Sequence, residues 1–364
     1  MTTSLEQAIW SITIALLDQP DFAGKNLVLS PHSVRTALSV LSVAADNGSS
    51  TQEQIHAFLG GEDEGEIVSR LVAEAGEGRR ADSPLRSAIG LFVGSRTSLD
   101  PIFADTATDQ FAALIEQLPY SPEEAAAHIN AWVSKATEGR IPNIVSSVDS
   151  AVALLVVSAL YFRSEWAHKF NPTATFDRPF TLRSGAVVQR PAMHKTETFP
   201  LWTGPAWQLV ELPYRASDFA MVVALPSDPA SATLDIESVR AGIRAAQPAL
   251  VQLQLPRFDV SADLSLLAAL RKAGVRDAFD LREASFRRLG PRRGAATDVL
   301  HKARVTVTEE GTEAAAATAI PLVQSLDRRT KVPFVVDRPF WFFLRDRRSG
   351  DLLFVGRVED PKGS

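Results

Sequence analysis

The chain has no cysteine, which removes disulfides, thiolate nucleophiles and cysteine metal ligands at one stroke. Histidine is scarce: the six, at positions 32, 56, 128, 168, 194 and 301, are too scattered to suggest a metal cluster. No segment matches G-x-S-x-G, H-E-x-x-H, the phosphate-binding P-loop or G-x-G-x-x-G, so hydrolases, zinc proteases and nucleotide enzymes lose their usual signals. A catalytic triad assembled from distant residues leaves no such trace and stays open. No apolar run reaches the ~18 residues of a membrane-spanning helix, so no membrane partner is expected. The first residues, Met1 to Leu17, lack a basic start and a small-residue cleavage site; no export signal is visible, and the compartment reads as the cytoplasm or stays open. A net charge of -5 argues against general attraction to nucleic acid. Arg287, Arg288, Arg292 and Arg293, around Gly290-Pro291, form one basic cluster that reads either as a solvated loop or as a site for a polyanion or a protease surface.

What is present is a long, mixed pattern. The 364 residues, 45% of them hydrophobic, carry no linker, low-complexity tract or internal repeat, so a single domain over 1–364 is expected. Ser30 reads as an N-cap with Pro31 in the first turn, and Val34, Ala37, Leu38 and Leu41 then recur at helical spacing. Ile129, Trp132, Val133 and Ala136 repeat that spacing before Gly139 and Pro142 close the element. Ala151 to Phe162 is a long apolar run, as in a strand covered on both faces. Further strands are predicted over 220–225, 251–255, 332–336, 340–344 and 352–358. A helix-rich early chain and a strand-rich late chain predict an α+β fold.

One stretch stands apart. After the β-branched Val305-Thr306-Val307-Thr308 comes Glu309-Glu310-Gly311-Thr312-Glu313-Ala314-Ala315-Ala316-Ala317-Thr318-Ala319-Ile320. Read as a strand, Thr312, Ala314, Ala316, Thr318, Ile320 and Leu322 share one face and Glu313 falls on the other. The first face is small or apolar enough to enter a sheet without burying a charge. Alanine also favours helices, so a short helix from Thr312 to Ala319 is the competing local reading.

From Leu5 to Pro361 the chain resembles the serpins. The hinge Glu-Glu-Gly-Thr-Glu-Ala-Ala-Ala-Ala-Thr looks like that of the family's inhibitory members, and other blocks follow in the family's order. They are Asn26-Leu27-Val28-Leu29-Ser30-Pro31 with Ser33, Asn130-Ala131-Trp132-Val133 with Thr137, Gly139 and Ile141, and Ser158-Ala159-Leu160-Tyr161-Phe162 with Trp166 and Phe170. Glu211-Leu212-Pro213-Tyr214, Ala224-Leu225-Pro226, Leu255-Pro256-Arg257-Phe258, His301-Lys302-Ala303, Asp337-Arg338-Pro339-Phe340 and Leu353-Phe354-Val355-Gly356-Arg357 complete the series.

The resemblance implies a fold of three β-sheets with about nine helices and an exposed reactive-centre loop at about 309–333. It implies a monomeric suicide substrate of prokaryotic type, without catalytic residues, metal or cofactor of its own. A serine protease attacks the loop and is trapped as its covalent acyl-enzyme when the cleaved arm, held outside the main sheet until then, enters it. The family's spacing from Glu309 places the cleaved bond between Ser325 and Leu326, which suits an elastase-like or subtilisin-like protease. Recognition of Leu326 instead suits a chymotrypsin-like enzyme, and of Arg328 or Arg329 a trypsin-like one. Pro321 removes one donor late in the inserting segment. Arg257 and Glu309 match a cation and an anion that meet at the top of the sheet. Ser30, Ser33, Ser158 and His301 match the region where the central strands part. Many serpins have asparagine where this chain has Ser158, so the gate is expected to hold fewer direct hydrogen bonds, with water filling the gap. The alternative is a non-inhibitory serpin that keeps the fold as a binding or carrier protein.

Overall fold

Ser30 accepts the backbone N–H of Ser33 on its side chain, and Pro31 fills the first turn, where a missing N–H costs nothing. The helix so started, α1 (Pro31–Ala44), is buried almost throughout. The computed structural model describes residues 10, 13, 24–78, 84–97, 99–149, 152–228, 234–289, 294–312 and 330–362. The other helices are α2 (Ser50–Phe58), α3 (Glu64–Gly78), α4 (Pro101–Phe111), α5 (Pro122–Ala136), α6 (Ile236–Ala245) and α7 (Leu267–Lys272). In chain order the strands are β1 (Leu27–Leu29), β2 (Leu85–Val93), β3 (Leu114–Gln117), β4 (Leu154–Phe162), β5 (Ser164–Glu165), β6 (Thr175–Thr181), β7 (Val187–Thr203) and β8 (Trp207–Pro213). They continue as β9 (Phe219–Pro226), β10 (Gln247–Pro256), β11 (Phe258–Ser265), β12 (Ala296–Val307), β13 (Gly311–Thr312), β14 (Val332–Val335), β15 (Phe340–Asp346) and β16 (Leu352–Val358).

The chain packs as two units, one of residues 1–21, 29–161 and 262–303, the other of residues 22–28, 162–261 and 304–364. In the first, strands follow the order β3-β2-β4-β12, and β2 runs parallel to β3. Every residue of β4 is buried, which accounts for its unbroken apolar run. One face packs under α5: Ala125, Ala126, Ile129 and Val133 meet Phe92, Leu155, Val157 and Ala159 in one cluster. Ser158 lies between Val157 and Ala159 in the strand, so the pleat turns it to the opposite face.

In the second unit a nine-stranded sheet has the order β1-β16-β15-β9-β8-β7-β10-β14, with β6 on β7. Its centre is a pairing of apolar strands: Phe342 lies opposite Val223 and Gly356, and a Cβ on Gly356 would sit 2.2 Å from the Phe342 ring. Three sheets and about nine helices were expected. Pairing among the described residues defines two sheets, because the 17-residue β7 holds β6 at one end, β8 at the other and β10 between; beside the seven α-helices with given bounds, Trp10 and Thr13 are helical too. One strand thereby joins what two sheets would otherwise divide. Among the described residues no helix is long and apolar enough to cross a membrane.

Candidate functional site

Two clusters contain the described residues to which the resemblance gave site roles. In the first unit, α1, β4 and β12 bring Ser30, Ser33, Ser158 and His301 together, all fully buried. The Ser30 backbone N–H donates to His301 Nε2 at 3.0 Å, so the neutral ring carries its proton on Nδ1, facing Ser158 Oγ at 3.4 Å. Ser158 Oγ in turn donates to the Ser33 carbonyl at 3.3 Å and touches the Ser33 hydroxyl. Direct contacts thus run from β12 to α1 through Ser158, two of them long. Burial pushes the His301 pKa down to about 3, against a weaker opposing hydrogen bond, and keeps the ring neutral.

The second cluster holds the start of the segment predicted to be a hinge. Glu309 is almost enclosed; Arg257 Nε donates to its carboxylate at 2.7 Å and Thr175 Oγ1 at 2.5 Å. Burial alone would raise the Glu309 pKa, but the bonds from Arg257 and Thr175 outweigh it and hold the group below the usual carboxylate value. Glu310 meets Lys169 Nζ at 2.8 Å, and that ammonium also reaches Glu165 at 3.0 Å. Hydrogen bonding to Glu310, then to Glu165, raises the Lys169 pKa. The backbone is held as well: Phe170 N–H donates to the Glu309 carbonyl and Trp166 N–H to the Glu310 carbonyl, both at 2.9 Å.

Beyond these two residues the chain turns back. Thr308 N–H donates to the Gly311 carbonyl at 2.9 Å, and β13 pairs antiparallel with β12 on one side, Val307 opposite Thr312. On the other side Gly311 lies opposite Glu165 and Thr312 opposite Ser164, again antiparallel. Gly311 and Thr312, the last described residues before the alanine run, are strand residues, and Thr312 is fully buried. Its hydroxyl lies 2.6 Å from that of Tyr214, whose ring stacks on Trp166 at 4.6 Å.

A family model described as Serpin (serine protease inhibitor) matches residues 12–361. The chain is a serpin. It is 32% identical over 357 residues to the leukocyte elastase inhibitor of Bos taurus, covering 92% of this serpin and 93% of that relative. An uncharacterised serpin-like protein of Thermococcus kodakarensis is 32% identical over 370 residues, with 98% and 85% covered. Among solved structures, native protease nexin-1 with heparin superposes with a TM-score of 0.84 at 27% identity, covering 98% of this serpin and 99% of that chain. Human thyroxine-binding globulin, complexed with thyroxine, superposes with a TM-score of 0.87 at 24% identity over 99% and 98%, a likeness of fold alone.

Glu313, Ala314, Ala315, Ala316, Ala317, Thr318 and the bond between Ser325 and Leu326 lie outside the described residues. So does the helix read as the alternative for this stretch, apart from Thr312, which is strand. Of the basic cluster, Arg287 pairs with Asp46 and Arg288 with Glu64, each at 2.8 Å; Arg292 and Arg293 are outside. Sequence reasoning missed Glu165, Lys169 and Thr175. Trp166 and Tyr214 were visible as members of serpin-like blocks, but no role attached to them.

Proposed function

We propose that this serpin inhibits serine proteases as a suicide substrate, its residues 1–364 working as one domain. The observation that carries the reading is β13. Gly311 and Thr312 pair with β12 on one side and β5 on the other, so a new strand between two existing ones has already begun. The residues that would extend it, Glu313 to Thr318, are small apart from one glutamate on the alternate face. Ser30, Ser33, Ser158 and His301 act as the gate that parts, and Arg257 with Glu309 anchors the hinge at the sheet's top.

The chemistry belongs to the protease. Its serine Oγ attacks the Ser325 carbonyl carbon, the C–N bond to Leu326 breaks, the amine leaves with a proton, and Ser325 stays esterified to the enzyme. Insertion then competes with the water that would hydrolyse that ester. The segment around the bond, Leu322-Val323-Gln324-Ser325-Leu326, suits elastase-like, subtilisin-like or chymotrypsin-like pockets, and the likeness to a leukocyte elastase inhibitor supports the first.

Mixing the protein with elastase, subtilisin, chymotrypsin and trypsin, followed by a denaturing gel, tests this. A covalent complex with one of the first three is expected, together with a released peptide whose mass starts at Leu326. A clipped chain with no complex for any of the four would overturn the reading and leave the fold as a carrier or binding scaffold.

A further inference from the structure

The Thr312 side chain is fully buried where β13 enters between its neighbours, and its hydroxyl meets the Tyr214 hydroxyl at 2.6 Å. The Tyr214 ring is fixed independently of the hinge. It stacks on Trp166 with 4.6 Å between centroids and a 12° interplanar angle, and its edge packs on Phe162 at 4.9 Å. Trp166 itself holds two further points of the hinge, donating from its indole to the Thr308 carbonyl and from its backbone to the Glu310 carbonyl, each at 2.9 Å. One rigid aromatic pair therefore grips the hinge at positions 308, 310 and 312.

Resting on the suicide-substrate reading, we propose that Tyr214 is a positioning residue for loop insertion: its hydroxyl seats Thr312 as the first rung of the new strand before any protease cuts. The physical gain is kinetic. Starting a strand fixes several backbone torsions for few hydrogen bonds, whereas extending one fixes a residue for each rung gained. With Thr312 seated, the cleaved arm extends an existing end, and insertion gains time against hydrolysis of the acyl-enzyme. The seat also selects its occupant, because a side chain without a hydroxyl at 312 leaves the Tyr214 hydroxyl buried and unpaired.

Tyr214→Phe keeps the stack and strands the Thr312 hydroxyl; Thr312→Val keeps the shape and strands the Tyr214 hydroxyl. The double variant strands neither, so each single change should loosen the hinge and the pair together should restore it. Without protease, hydrogen exchange at the amides of 311 and 312 should quicken about tenfold in each single variant and return toward the parent in the double. With a protease that the parent traps, the number of inhibitor molecules consumed per enzyme trapped should at least double in each single variant and fall again in the double. That ratio divides insertion from turnover and does not report the rate of attack. Unchanged exchange and stoichiometry in Tyr214→Phe, or effects that multiply in the double variant, would overturn the proposal. If the parent traps no protease, the inhibitory reading fails by itself, and exchange still decides whether Tyr214 seats Thr312.

Discussion

Glu309 carries its charge into a space that leaves its side chain 6% exposed, while the Arg257 side chain that answers it remains 40% exposed. The two substitutions are therefore unequal. Arg257→Ala leaves an enclosed carboxylate with Thr175 as its remaining side-chain partner and should cost about 2 kcal/mol, discounted for the arginine's exposure. Glu309→Ala leaves a cation that turns to water and should cost less than half as much. Urea unfolding of both variants checks the order; equal losses would contradict it. His301 sets a different dependence. Its pKa falls from 6.5 to about 3 on folding, so the folded state binds fewer protons, and stability is lost as pH falls from 6.5 toward 3. The loss amounts to roughly 2 kcal/mol by pH 5. Unfolding free energies measured between pH 7 and 5 should show that loss, and His301→Gln should abolish it whatever its absolute stability. Glu309, depressed below 4.5, adds its own loss at lower pH as it protonates.

At the scale of the element, the proposed hinge turns on Gly311. Its φ of +155° is a conformation that L side chains rarely adopt, and a Cβ there would lie 2.1 Å from the Ser164 carbonyl oxygen and 2.7 Å from the Glu165 Cα. Both obstacles are backbone, so Gly311→Ala should expel β13 and leave β4 and β12 intact. The expected result is a chain cleaved mainly as a substrate by whichever protease the parent traps, read on a denaturing gel as clipped chain outweighing complex. Elements such as α1 were legible because cap, proline and apolar stripe agree over Ser30 to Leu41. Only the second half of α5 was, since its first turns, Pro122 to Ala127, are proline, glutamate and alanine, and the apolar stripe starts at Ile129. Strand β6 was missed for a related reason: Thr-Phe-Asp-Arg-Pro-Phe-Thr lies mostly exposed, and only Phe180 is buried. Arg257 and Glu309, 52 residues apart, showed through the family likeness alone. Nothing in the composition around Lys169 tells it from a surface lysine; only its place between Glu165 and Glu310 does.

For the whole molecule the question is whether inserting an arm lowers its free energy. Strands β4 and β12 are hydrogen-bonded neighbours, so an entering strand first breaks one ladder. It then forms two, one along each flank, as β13 already does with β12 and β5. The balance is one additional ladder plus the burial of small side chains, set against the ordering of an arm that cleavage has freed at one end. The fourteen residues from Thr312 to Ser325 span roughly 45 Å at ~3.3 Å each, long enough to carry an attached protease past most of a domain. The uncut chain gains little of this, because an arm anchored at both ends cannot run the length of the sheet. Cutting between Ser325 and Leu326 with a protease in catalytic amount should therefore raise the midpoint of thermal unfolding by more than about 10 °C, well beyond the shift that ~1 kcal/mol produces in a chain of this size. Circular dichroism melts of intact and cut protein make the comparison. A cut chain that melts with the intact one would mean that the arm stays outside and that no free energy was held in reserve.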